Sequence, residues 1–213
     1  MNSKIIIVGG DPNSVNSEII YKTWNKLNFK VKKKNYLIAN FELIRKQFKK
    51  IKSKVKIIKV KSIKENTSTK FLKIIDIPLK FKDPFNVSLK SSTKYIMECF
   101  NLAHKISQNK ECKGLINCPI DKKLLNKSNK IGVTEFLASK CKINNGSEVM
   151  LIHNKKLSVV PLTTHINIKN VANKINTKLI IKKMTTLQRD FKKLFNKKPK
   201  IAILGLNPHC ETI

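Results

Sequence analysis

Arginine is almost missing from this chain. Only Arg45 and Arg189 stand among 45 basic residues, and against 13 acidic ones the formal net charge is +32. Proteins that read bases or grip phosphates bidentately rely on the planar guanidinium fork, and this chain has little of it. Aromatic residues make up 7% and do not alternate with the lysines, so no base-stacking platform is present. Lysine is instead spread along the whole chain together with Ile and Asn, the set that AT-rich codons specify. Specific nucleic-acid binding is kept only as an alternative reading. The charge is expected to give salt-sensitive, non-specific adhesion to polyanions.

Other absences narrow the class further. The five cysteines, Cys99, Cys112, Cys118, Cys141 and Cys210, are odd in number and contain no Cys-x-x-Cys pair. That argues against both a zinc ribbon and a disulfide framework. Seven prolines and six glycines beside 41% hydrophobic residues argue against disorder. No apolar stretch approaches the roughly 20 residues of a membrane span. The chain opens at once on Ile5–Val8, too short for a signal h-region and without a small-residue cleavage site. A soluble, cytoplasmic protein is expected. The first turn also lacks Gly-x-Gly-x-x-Gly, which speaks against a Rossmann dinucleotide site there.

What the chain does have is a repeated pattern of apolar runs that end in polar residues. The chain is organised around Ile201–Leu204, which reads as a buried strand; Gly205 then breaks it and presents Asn207, Pro208 and His209. Upstream, Leu157–Leu162 ends in Thr163-Thr164-His165. Two imidazoles at strand ends share one crevice if the strands lie in one sheet, since open α/β sheets place ligand sites just beyond such ends. Histidine is the commonest metal ligand and titrates nearest neutrality.

The remaining elements alternate. Strands are expected at Lys4–Val8, Tyr36–Ala39, Val55–Val60 (an edge strand), Phe71–Ile77 and Gly114–Cys118, with a hairpin of Val149–His153 and Leu157–Leu162. The first strand runs into the turn Gly9-Gly10-Asp11-Pro12-Asn13, and Asn16 or Ser17 caps a helix whose apolar face is Ile19, Ile20, Trp24 and Leu27. Further helices are expected over Phe41–Phe48, from Ser91 and Ser92 to Gln108, over Lys122–Leu125 behind an Asp121 cap, from a Thr134 cap to Lys140, from Asn167 to Ile175, and from Thr177 to Phe195. This pattern predicts a layered α/β fold with a mixed sheet. Residues 1–113 are expected to form a first-domain part and 114–213 a central part. The stop at Ile213, four residues after His209, reads as an interrupted domain. His104 and His153 read as packing and turn residues.

Taken in order, Gly10-Asp11-Pro12, Pro119-Ile120-Asp121-Lys122, Thr163-Thr164-His165 and Gly205-Leu206-Asn207-Pro208-His209 resemble the 4-hydroxythreonine-4-phosphate dehydrogenase family. The resemblance runs from Ile5 to His209 but covers about the first two-thirds of that family's length. It implies an NAD-dependent oxidation of the secondary hydroxyl of 4-phosphohydroxy-L-threonine, with loss of CO2 from the resulting β-keto acid, in pyridoxal phosphate (vitamin B6) biosynthesis. It also implies a fold similar to isocitrate and isopropylmalate dehydrogenases, a site at a homodimer interface, and a divalent metal (Zn, Mg or Co) held by three histidines.

By motif, His165 matches the first metal histidine and His209 the second. Thr134, in Gly132-Val133-Thr134-Glu135, matches a substrate-contacting threonine, Asp11 matches the first-turn acid assigned to substrate, and Lys122 matches a catalytic lysine. The chain departs from the pattern in three places. Val133 stands where the family usually has a substrate-binding histidine, Ser14 and Asn16 replace glycines, and the third metal histidine with most NAD and phosphate ligands belongs to the part not matched. Val133 motivates an alternative, a related metal- and NAD-dependent dehydrogenase of another phosphorylated hydroxy acid.

Overall fold

A computed structural model describes residues 3–65, 67–125, 132–141, 147–164 and 166–207. The chain forms two compact units, Met1–Val133 and Thr134–Ile213.

The first unit is built on a five-stranded sheet. Its strands are β1 (Lys4–Val8), β2 (Asn35–Ala39), β3 (Lys56–Val60), β4 (Phe71–Asp76) and β5 (Cys112–Asn117), in the order β3-β4-β2-β1-β5. Every pairing in this sheet is parallel. The expected mixed sheet is thus corrected, because the only antiparallel strand pair among the described residues forms a separate two-stranded sheet in the second unit. Parallel strands need crossover elements, here α1 (Asn16–Lys26), α2 (Phe29–Lys34), α3 (Phe41–Lys50) and α4 (Leu89–Ser107).

The helices split between the two faces by strand parity. Ile20 and Trp24 of α1 and Ile44 and Phe48 of α3 pack with Leu37, Ala39, Leu72 and Ile74. Residues of opposite parity, among them Ile6, Val8, Tyr36, Ile38 and Lys73, are buried on the other face. There α4 lies against β1, β2 and β5 with Tyr95, Ile96, Cys99, Phe100 and Ala103 buried. Each fully buried large apolar side chain contributes roughly 1.5–3 kcal/mol.

Helix ends follow local chemistry, not always at the expected residue. Asn40 caps α3, its side chain accepting from Leu43 N at 2.8 Å, and Ser88, not Ser91 or Ser92, caps α4. Helix α1 begins without a side-chain cap. Asn16 and Ser17, expected to supply one, lie inside its first turn and are buried.

The second unit contains α5 (Val133–Lys140, continuing from the first unit), a hairpin of β6 (Ile152–His153) and β7 (Ser158–Val159), α6 (Val171–Lys174) and α7 (Thr177–Phe195). Asn176 caps α7, accepting from Leu179 N at 2.9 Å, and Asn196 ends it in the left-handed region at φ 53°. His153 lies tilted against Phe195 at 4.6 Å between ring centroids and meets Phe191 edge-on at 6.4 Å. The strand expected at Ile201–Leu204 is not formed. Those residues lie in no strand, and Leu204 is 87% exposed. An apolar run sets β propensity but supplies no partner. Among the described residues no helix is long and apolar enough to cross a membrane.

Candidate functional site

All five parallel strands end at one edge, and two of those ends meet there. Val8 of β1 is in register with Asn117 of β5, so the turns that follow leave the sheet side by side. Cys118 N donates to Val8 O at 3.0 Å, and Asp11 N donates to Pro119 O at 3.3 Å. Gly10 permits this crossing. Its φ is +76°, and a Cβ there would lie 2.7 Å from Pro119 O, so the left-handed turn and the close approach both require glycine.

Asp11 is partly exposed at the head of this edge. Its Oδ1 accepts from Asn13 N at 2.9 Å, and Oδ2 has no partner among the described residues. The turn is held from several sides by side-chain amides, of which Asn16 and Gln47 are buried. Asn13 exchanges two bonds with Val87, 2.8 Å to the carbonyl and 2.7 Å from the N–H. Gln47 Nε2 donates to Pro12 O at 2.8 Å and Pro84 O at 2.6 Å. Asn16 Nδ2 donates to Pro119 O at 2.8 Å and Asp11 O at 3.3 Å. The bonding roles of these three amides are not legible in the sequence, where Asn16 reads as a helix cap and single Asn or Gln residues do not stand out.

On the β5 side of this edge, Asp121 behaves as its sequence predicts. Its Oδ1 accepts from Lys123 N at 2.9 Å and opens a 3-10 turn at Lys122–Leu124. Leu124 and Leu125 are buried and fasten that turn to the unit. Lys122 is placed here by its backbone, as the first residue of the turn. Cys118 sits beneath the edge, and burial pushes its thiol up to about 11. It is therefore not a thiolate nucleophile at neutral pH.

Thr134 lies in the other unit, exposed. Because α5 starts at Val133, Thr134 is a first-turn residue and not the expected cap. His165 and His209 lie outside the described residues, and among those described no group of three or more His, Cys, Asp or Glu could hold a metal ion. The structure thus brings Asp11 and the Lys122 turn together within the first unit. An open groove of about 810 Å³ runs along α7 from Ser147 to Arg189 and contains none of the expected site residues.

A parallel α/β unit whose ligand edge lies at adjoining strand ends is the architecture of many enzymes that bind small substrates. The family model for "Pyridoxal phosphate biosynthetic protein PdxA" matches residues 31–212, and the chain belongs to that family. It is 34% identical over 216 residues to the 4-hydroxythreonine-4-phosphate dehydrogenase of Sulfurihydrogenibium sp. (strain YO3AOP1), covering 97% of this chain and 64% of the relative. It is 32% identical to that of Aquifex aeolicus, covering 99% of this chain and 64% of the relative.

Two solved structures share the fold. The 4-hydroxythreonine-4-phosphate dehydrogenase of Klebsiella pneumoniae aligns with a TM-score of 0.85 at 21% identity, covering 99% of this chain and 64% of that one. A terephthalate 1,2-cis-dihydrodiol dehydrogenase from Burkholderia xenovorans LB400 aligns with a TM-score of 0.67 at 17% identity, covering 97% of this chain and 62% of that one. The chain thus spans about 64% of the length of the curated relatives.

Proposed function

We propose that this chain supplies the first two-thirds of an NAD-dependent 4-hydroxythreonine-4-phosphate dehydrogenase. In this reading the whole enzyme is a cytoplasmic homodimer with a fold like isocitrate and isopropylmalate dehydrogenases. Residues 114–213 carry its substrate, metal and dimer contacts. The substrate is 4-phosphohydroxy-L-threonine, whose secondary hydroxyl is oxidised before the β-keto acid loses CO2 on the way to pyridoxal phosphate.

One observation carries the reading. In a chain of this family, Asp11 and the Lys122 turn leave neighbouring strands and meet at Pro119. The Asp11 carboxylate accepts a hydrogen bond from a substrate hydroxyl or ammonium. Lys122, at the opposite lip, takes the hydroxyl proton as the carbon is oxidised. Thr134 offers a hydroxyl and a first-turn backbone N–H to a phosphate or carboxylate. His165 and His209 are assigned by motif to a divalent ion, which when bound stabilises negative charge on the reacting oxygen. NAD, when bound, would supply the hydride acceptor, and no residue of this chain is assigned to hold it.

The test joins this chain to the C-terminal third of the Sulfurihydrogenibium relative and measures NADH formation from 4-phosphohydroxy-L-threonine with added Zn²⁺, Mg²⁺ or Co²⁺. Substrate-dependent NADH is expected from the folded chimera and none from the 213-residue chain alone. A folded chimera without turnover overturns the reading.

Val133 favours a second reading. It opens α5 half-buried, beside exposed Thr134, and its side chain has no hydrogen-bond donor. A related dehydrogenase acting on another phosphorylated hydroxy acid would turn that acid over faster than 4-phosphohydroxy-L-threonine in the same assay.

A further inference from the structure

The β1 turn and the β5 turn are separate loops, more than a hundred residues apart in sequence, and a parallel sheet alone does not fix how they sit beyond their strands. Between them lies the side chain of Asn16, itself 3% exposed. Its Nδ2 donates to a carbonyl on each side, Pro119 O at 2.8 Å and Asp11 O at 3.3 Å. It also sits over Gly10 so closely that a Cβ there would be 2.4 Å from the amide nitrogen. The two acceptors assign the amide orientation, since the carbonyl end could not face them.

The other end of the same amide has no such fit. Asn16 Oδ1 is buried without a hydrogen-bond partner, as is the neighbouring Ser17 Oγ. A buried acceptor left unmatched subtracts from stability what the two donated bonds add. Asn16 therefore gives the fold little net stability while it crosslinks the two turns. Residues that break a local rule in this way concentrate at functional positions.

We infer that Asn16 is a positioning residue. Through its amide it holds the turn bearing Asp11 and the turn bearing Lys122 at a fixed separation, and so sets the distance between the substrate-binding and proton-accepting lips of the crevice. This rests on the function proposed above for Asp11 and Lys122. The crosslink itself does not.

The experiment has two arms. The first is amide hydrogen exchange on the 213-residue chain, wild type and the variants Asn16→Ala and Asn16→Asp. The aspartate keeps the size but removes the donors and turns a charge toward two carbonyls. The Asp11 amide, bonded to Pro119 O, is expected to exchange about tenfold faster in both variants, as local opening becomes easier. The Ile6 and Ile38 amides in the sheet and the urea midpoint of Asn16→Ala are expected to stay unchanged. If Asp11 keeps its protection in Asn16→Ala, or loses it only together with the sheet, the crosslink is not there and the inference falls.

The second arm is steady-state kinetics on the chimera. Asn16→Ala is expected to lower kcat and raise KM for the phosphorylated substrate by about tenfold each, with KM for NAD unchanged. Equal changes in all three constants, or no change in any, would mark a merely structural residue. If the wild-type chimera makes no NADH, the parent reading fails, and the exchange arm still decides whether Asn16 couples the turns.

Discussion

Lys73 Nζ lies 4.0 Å from the centroid of the Tyr36 ring and donates to the Lys33 carbonyl at 2.6 Å. A lysine 2% exposed in the middle of a parallel sheet is held there by the ring face and by the carboxyl end of α2, both of which favour a cation. Burial nevertheless wins. Together with the nearby Lys4 and Lys33 ammonium groups it lowers the Lys73 amine from 10.5 to about 8.

This predicts a pH dependence with a definite sign. The unfolded chain keeps Lys73 protonated up to 10.5, whereas the folded chain releases the proton near 8. Stability from this group therefore climbs between those values and is lowest below about 8, where the buried charge is fully present. Tyr36, raised first by burial and then by Glu111 and Glu65, stays neutral as Lys73 titrates. The buried thiols act in the opposite direction. Cys99 is pushed up to about 12 and Cys118 to about 11 from 9.0, so the unfolded chain ionises them first and stability falls above 9.0. Urea melts of wild type and Lys73→Met from pH 7.5 to 10.5 separate the two effects. The difference between the proteins is expected to move by about 2 kcal/mol in favour of wild type as pH rises, given 1.36 kcal/mol per pH unit. Parallel curves would refute it.

A second prediction contrasts two glycines. Gly10→Ala puts a Cβ 2.4 Å from Asn16 Nδ2 and 2.7 Å from Pro119 O at a φ of +76°, and should cost about 2–3 kcal/mol. At Gly114, a Cβ would meet nothing within 4 Å, so Gly114→Ala should be neutral or stabilise by roughly 0.5 kcal/mol. Urea midpoints decide it, and similar losses at both positions would contradict the close approach at the strand edge.

How far the sequence could be read depends on which force shaped each element. Where apolar periodicity dominated, at β1, β2, β4, α3, α4 and α7, the expected and observed elements agree to within a few residues. Helix α2 was missed because Phe29–Lys34 has no apolar stripe; its capping bond from Asn28 is what starts it. Ile201–Leu204 was read as a strand because it is apolar, but strand formation also needs a neighbour. Lys73 could not be foreseen, since burial of an amine depends on a ring on the neighbouring strand, 37 residues away in sequence. At the candidate site, motif order singles out Asp11 and Lys122, whose turns lie side by side, while the amides of Asn13, Asn16 and Gln47 act through tertiary bonds that leave no local pattern.

The third prediction separates a capping carboxylate from an ion pair. Asp76 Oδ1 accepts from Phe41 N, the first residue of α3, at 2.7 Å, and Oδ2 meets Lys59 Nζ at 2.5 Å. The Asp76 side chain is 19% exposed and Lys59 61%. A half-buried bond to an orphan helix N–H outweighs a screened surface pair. Asp76→Ala is therefore expected to cost about 1–2 kcal/mol and Lys59→Met less than about 0.5 kcal/mol. Chemical denaturation of both singles and the double measures this, and a larger loss for Lys59→Met would reverse the ranking.

The last prediction concerns Val133, which the proposed function sets beside the substrate. Val133 begins α5 and cannot donate a hydrogen bond, while Thr134 beside it is exposed and available to an anionic group. If the substrate is 4-phosphohydroxy-L-threonine, a donor restored at 133 adds binding that is present in the ground state and the transition state alike. Val133→His in the chimera should then lower KM for that substrate about fivefold to tenfold at constant kcat. If the natural substrate is a different phosphorylated hydroxy acid, valine is the fitted residue. The same substitution would then raise KM for that acid and leave 4-phosphohydroxy-L-threonine a poor substrate. Parallel assays on both substrate types distinguish the cases, because the sign of the KM change is opposite in the two.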